Sequence, residues 1–166
     1  MLYQCQVCGE THRGPPDIGF VWPDSYFAIP ESERSTRIRG TSDTCAIDEA
    51  EFFIRGVILI PIHGQNDDFG IGVWASQKRE NFEAYLGNFN SADIGPFFGW
   101  LSNRMPFYDQ DTWALKTMVR FLGNDQRPLI ELEPSGHPLY TDYAKGISLS
   151  RAWEYAHWRA HRGPDA

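Results

Sequence analysis

Apolar residues recur at every second position in two parts of this chain, and at every third and fourth in two others. The first period belongs to strands, whose side chains alternate between faces. The second belongs to helices, whose side chains return about every 3.6 residues. Residues 52–62 are almost continuously apolar and rich in β-branched side chains, interrupted mainly by Arg55 and Gly56. The polar break HGQNDD follows, and Phe69, Ile71, Val73 and Ala75 then resume on one parity. Residues 52–76 therefore read as a hairpin whose first strand, apolar on both parities, is central rather than at an edge. Trp113, Leu115, Thr117, Val119 and Phe121 alternate again, with Lys116 and Arg120 on the other parity, before GNDQR and PLIELE. Residues 113–133 predict a second antiparallel pair with one solvated face.

The helical period appears over residues 76–89, where Phe82, Tyr85, Leu86 and Phe89 form a stripe. It appears again over 148–161, with Leu149, Ala152, Trp153, Ala156 and Ala160 on the buried side. Residues 14–44 are proline-punctuated and predict a coil anchored by Phe20, Trp22, Tyr26 and Phe27, with ESERSTRIR as a solvated face or exposed strand. Residues 93–112 hold Phe97, Phe98, Trp100, Leu101, Met105, Phe107 and Tyr108 between glycines and prolines. That apolar area has to be buried, as a small aromatic core or as a pocket wall or protein-contact surface with Arg104 as its charged anchor.

Runs of strands without regular β–helix–β alternation predict an α+β fold. The expected architecture is an antiparallel sheet of two hairpins, with helices packed on one face and a zinc-knuckle-like N-terminal segment at an edge. The 166 residues suffice for one compact domain, residues 1–166, with 1–45 as a cysteine-containing segment on the core. A net charge of −7 argues against a broad phosphate-binding surface, and so against a nucleic-acid role; it suits a protein partner instead. MLYQCQVCGE has neither a basic start nor an apolar run, and no apolar stretch approaches the roughly 20 residues that span a bilayer. With three cysteines, an odd number, the chain does not resemble a secreted disulfide framework. The expected location is cytoplasmic.

Cys5-x2-Cys8-Gly9 can grip one zinc ion, because two thiolates so spaced reach the same metal and the glycine lets the chain turn. One knuckle supplies two of four ligands. His12 and Cys45 complete a Cys3His set, and His137 is the alternative fourth ligand to His12. Two other readings stand beside this one. Cys45 can be a small buried hydrophobe with the first pair metal-free, or the pair can be a redox motif, although no helix opens after it. Asp67-Asp68 lacks the spaced oxygen ligands of a calcium loop. FGIG continues a strand where a dinucleotide fingerprint would open a helix.

Glu131 and Glu133 share a strand face and could serve acid–base chemistry, or pair across strands with Arg120 or Lys116. His137 sits at a Gly-His-Pro bend near Glu133 and Asp142, as a general base or as a bend histidine. His157 and His161 have metal-ligand spacing without the glutamate of a protease helix. There is no serine elbow and no phosphate loop. The favoured expectation is a non-enzymatic interaction or regulatory module with one structural zinc. A small hydrolase using His137 with Glu131 or Glu133, and Arg104 beside an aromatic pocket, is the alternative.

The strings CQVCGETH, DTCAIDEAEFFIRG, FGIGVWAS, FFGWLS, RPLIELEPSGHPL and GIS, in that order, resemble the bacterial family catalogued as domain of unknown function 2199. The resemblance covers nearly the whole chain and falls on Cys5, Cys8, Gly9, His12, Cys45, Arg55, Gly56, His137, Pro138 and Leu139. It implies a compact intracellular bacterial protein and attaches no catalytic role to these residues.

Overall fold

A computed structural model describes residues 2–4 and 9–160 of the chain. Two short strands, β1 (Tyr3–Gln4) and β2 (Thr11–His12), pair antiparallel as a separate hairpin. Then come β3 (Ile18–Gly19), α1 (Asp24–Phe27), α2 (Glu31–Arg37), β4 (Ile38–Gly40) and β5 (Thr44–Ile47). The central hairpin is β6 (Glu51–Ile60) and β7 (Phe69–Gln77), followed by α3 (Arg79–Gly87) and β8 (Phe97–Trp100). The chain continues through β9 (Lys116–Arg120), β10 (Leu129–Leu132), α4 (Pro138–Lys145) and α5 (Leu149–Ala160).

The predicted 52–76 hairpin is present, in register from Phe52 opposite Gln77 to Ile60 opposite Phe69. Its first strand is central, as its double-sided apolar pattern requires. Phe69, Ile71, Val73 and Ala75 are all buried. The second hairpin forms too, with Leu129 opposite Arg120 and Leu132 opposite Thr117.

The sheet is mixed, which corrects the expectation of a purely antiparallel one. Two parallel pairings join it, β10 to β6 and β3 to β7. One edge of β6 serves two partners in turn. β5 takes residues 51–54 in antiparallel register, and β10 joins in parallel at Val57. The handover lies at Arg55 and Gly56. Arg55 N donates to Asp43 O at 3.0 Å, and Val57 N donates to Pro128 O at 2.9 Å. A Cβ on Gly56 would fall 2.6 Å from Ile130 Cδ1 and 2.7 Å from Pro128 O. The glycine is therefore what lets β10 come so close. From β6 the order runs through β10 and β9 to β8. The sheet then curls until Leu101, just past β8, bridges Ala75 of β7.

Three further expectations are corrected. Residues 14–44 carry β3, α1, α2 and β4 between irregular stretches and not coil alone; ESERSTR is the helix α2, which buries none of its residues and so keeps the solvated face expected of it. On α3, Phe82 and Tyr85 are buried while Leu86 reaches the surface, and Phe89, past the helix end, is exposed as well. On α5, Ala152, Tyr155 and Ala156 are buried, Trp153 is half-buried and Leu149 is exposed. Tyr155, omitted from the predicted stripe, carries the helix's main polar contact. No helix among the described residues is long and apolar enough to cross a membrane.

Candidate ligand cleft

Three of the four catalytic candidates, His137, Glu131 and Arg104, engage side-chain partners of their own, and Glu133 is placed by its backbone. His137 is the N-cap of α4: its Nδ1 accepts from Leu139 N at 2.9 Å, and its Nε2 lies 3.1 Å from Gln110 O. The bend reading of His137 describes this place: both nitrogens are occupied. Glu131 receives a two-pronged contact from Arg120, the cross-strand pairing weighed for it. Glu133 continues the ladder through its N–H to Lys116 O at 3.0 Å. Arg104 lies 3.2 Å from Asp111 and 3.7 Å from Asp24, with its guanidinium 4.7 Å above the Trp113 ring.

The metal candidates divide by position. Cys5 and Cys8 lie outside the described residues, as does the side chain of His12. Gly9, just after the pair, has φ +74°, the left-handed turn a knuckle glycine provides. Cys45 is 0% exposed within β5, opposite Phe53 and Gly40. Burial, with Glu51 as the lesser cause, pushes its thiol up to about 12. Among the described residues no group of three or more His, Cys, Asp or Glu is placed to hold a metal ion.

Two buried polar centres play parts that the sequence did not signal. The first is Asp142 on α4, 7% exposed. Tyr108 and Tyr155 donate to its Oδ2 at 2.6 and 2.9 Å, Arg151 Nη2 lies 3.3 Å away, and Arg151 Nε donates to the Tyr155 hydroxyl. Burial first, and then the bond to Asp142, raise the Tyr108 pKa; burial is also the main cause of the rise at Tyr155. This knot ties the 103–112 loop, α4 and α5 together. A carboxylate three residues before a helix's last lysine gives no hint of it, because its partners lie 34 and 13 residues away.

The second centre is Gln77, at the end of β7, where β7 and β8 part. Ordinary ladder bonds give way to side-chain substitutes. Trp100 N donates to Ser76 Oγ at 3.2 Å, and Gln77 Nε2 donates to Ser76 O at 2.8 Å and Phe98 O at 3.2 Å. Those two carbonyls fix which end of the amide is nitrogen. Gln77 is 8% exposed, and its Oε1 is buried without a hydrogen-bond partner. Gly99 stands opposite, where a Cβ would fall 2.4 Å from Ser76 O and 2.6 Å from Gln77 Nε2.

Beside Gln77 opens a cleft of about 440 Å³, walled by Phe52, Phe53, Trp100 and Trp113. Its polar side chains are Glu51, Gln77 and the hydroxyls of Ser25, Ser76 and Ser102. A second hollow of about 670 Å³ adjoins it, sharing Ser76, Gln77 and Trp100. Such volumes are those of small-ligand sites, and an apolar wall with a few polar groups is their usual make-up. None of Arg104, Glu131, Glu133 and His137 lines either one. The sequence signal for the cleft was the aromatic 93–112 segment, read there as a pocket wall among other roles; the part played by Gln77 had no signal.

No curated protein and no solved structure matches the chain. A family model described as an uncharacterized protein conserved in bacteria, DUF2199, matches residues 4–147, and the chain belongs to that family.

Proposed function

We propose that this protein is a non-enzymatic interaction or regulatory module, with its ligand site in the cleft between Trp100 and Trp113. The observation that carries this reading is the separate engagement of the acid–base candidates. His137 has both ring nitrogens in structural contacts, Glu131 faces Arg120, and Arg104 faces Asp24 and Asp111. General acid–base chemistry needs such groups within hydrogen-bond reach of one reacting atom. The apolar concavity lies elsewhere, with an unpaired amide oxygen in its wall.

A fragment screen followed through the tryptophan indole N–H resonances tests the reading. Saturable hits that shift Trp100 and Trp113 first, and are lost in Trp100→Ala, are expected. Hits gathered at His137, and lost in His137→Gln, would overturn it in favour of the hydrolase.

The same proposal keeps a structural zinc on the N-terminal hairpin, held by Cys5, Cys8 and His12. The hairpin pairing of β1 with β2, which brackets the Cys-x2-Cys-Gly string, and the positive φ of Gly9 support it. The closed, apolar place of Cys45 argues that the ion is held without this residue. Elemental analysis of untagged protein that has never met a chelator should find close to one zinc per chain, unchanged in Cys45→Ser and lost in Cys5→Ser. Absence of zinc from the parent protein would remove the site.

A further inference from the structure

We infer that the cleft selects a small organic cation, an amidinium or ammonium carried on a flat apolar body. This rests on the cleft being the ligand site and adds the chemistry it accepts. Three features of the lining point the same way.

First, the side chains around the cleft include one carboxylate, Glu51, and no Lys, Arg or His. Second, two of the polar side chains around it have already spent their donors. Gln77 has spent both amide hydrogens on Ser76 O and Phe98 O, and its unpaired Oε1 is buried, so it adds a partial negative charge behind the wall and not a contact to the ligand. Ser102 has spent its hydroxyl hydrogen on Trp100 O at 2.9 Å, which leaves its lone pairs. Third, two indole rings stand in the wall, and ring faces attract cations. Trp113 already does so, with the Arg104 guanidinium 4.7 Å from its centroid.

An anion meets the opposite conditions. Phosphate or carboxylate would find the Glu51 carboxylate and no Lys, Arg or His among the lining residues, on a chain of net charge −7; the nearby guanidinium groups of Arg79 and Arg104 are engaged on the Phe52 and Trp113 rings. The apolar majority of the wall calls for a hydrophobic body behind the charge. The volume, about 440 Å³, fits a small molecule and not a folded partner.

Benzamidine, benzamide and benzoate make the test, because they share one shape and differ in charge and donors. Each is titrated into labelled full-length protein while the Trp100 and Trp113 indole resonances are followed. Benzamidine is expected to bind at least about fivefold more tightly than benzamide, and benzoate not to saturate. Glu51→Gln should weaken benzamidine about fivefold and leave benzamide within about twofold, the worth of one exposed carboxylate. Raised salt should narrow the gap.

Equal binding of benzamidine and benzamide at Trp100 and Trp113 would overturn the charge preference and leave the cleft as the ligand site. Tighter binding of benzoate would overturn it outright. If none of the three moves either indole, the cation inference fails, and the fragment screen decides separately whether the cleft binds anything.

Discussion

Asp142 and Gln77 are buried to nearly the same degree, 7% and 8% exposed, and both sit among aromatic rings. They differ in how their polar atoms are met. Asp142 Oδ2 collects two tyrosine hydroxyls and a guanidinium from two separate parts of the chain, the 103–112 loop and α5. Gln77 gives both its hydrogens to neighbouring backbone and leaves its oxygen bare. A buried polar group with every bond made fixes a structure; one with a bond left over is stability forgone, a place where something besides folding is served. The first centre is a fastening and the second borders a cleft.

The strongest way to break this contrast is Asp142→Ala. Removing the carboxylate strands two buried hydroxyls and leaves Arg151 without its ion. The expected loss is about 3 kcal/mol, the low end for breaking a buried pair because Arg151 is partly in solvent. A fall in Tm of roughly 6–12 °C should accompany it. A loss below about 1 kcal/mol would show that Asp142 fastens nothing.

Tyr108→Phe removes one donor from a charged acceptor and should cost about 1.5 kcal/mol. It should also change the alkaline limb of the stability profile. The folded pKa values of Tyr108 and Tyr155 lie above the ordinary 10.0, so the folded chain keeps protons that the unfolded chain releases. The stability they contribute is whole below pH 10 and declines as pH rises above it. Chemical denaturation between pH 9 and 11 should show a shallower decline in the variant; identical slopes would mean that the hydroxyl is not held protonated by the knot.

His137→Ala tests the edge of the same centre, where the imidazole meets the Tyr108 ring at 5.7 Å and caps α4. The cost should be about 1 kcal/mol, the usual worth of an N-cap. His137→Asn, which restores a capping acceptor, should recover most of it. Failure of the asparagine to recover stability would point to the ring contact instead of the cap.

What could be read in the sequence follows how local each signal is. The β6–β7 hairpin was legible because its parity and its turn lie within one stretch, and the Arg120–Glu131 contact because both residues share one hairpin. The parallel entry of β10 beside Val57 was not, since nothing in PLIELE says that half the edge of β6 is already taken by β5. Helix α4 hid behind Pro138, which reads as a bend yet suits a helix's first turn. Gln77 was silent for a plainer reason: its bonds depend on β7 and β8 parting there, a property of the curl of the whole sheet.

Gln77→Met is expected to have the smallest effect on stability, and it bears most directly on the contrast. Methionine keeps the length of the side chain and removes both polar ends. Losing the amide's two hydrogen bonds should cost about 1 kcal/mol each. Removing a buried acceptor that has no partner should return about 1–3 kcal/mol. The two nearly cancel, so the midpoint in urea should move by less than the equivalent of about 1 kcal/mol, against about 3 for Asp142→Ala. Benzamidine binding should nonetheless weaken, because the wall has lost its uncompensated oxygen. A loss above about 2 kcal/mol would mean that Oε1 makes bonds as good as those of Asp142, and the two centres would then be of one kind.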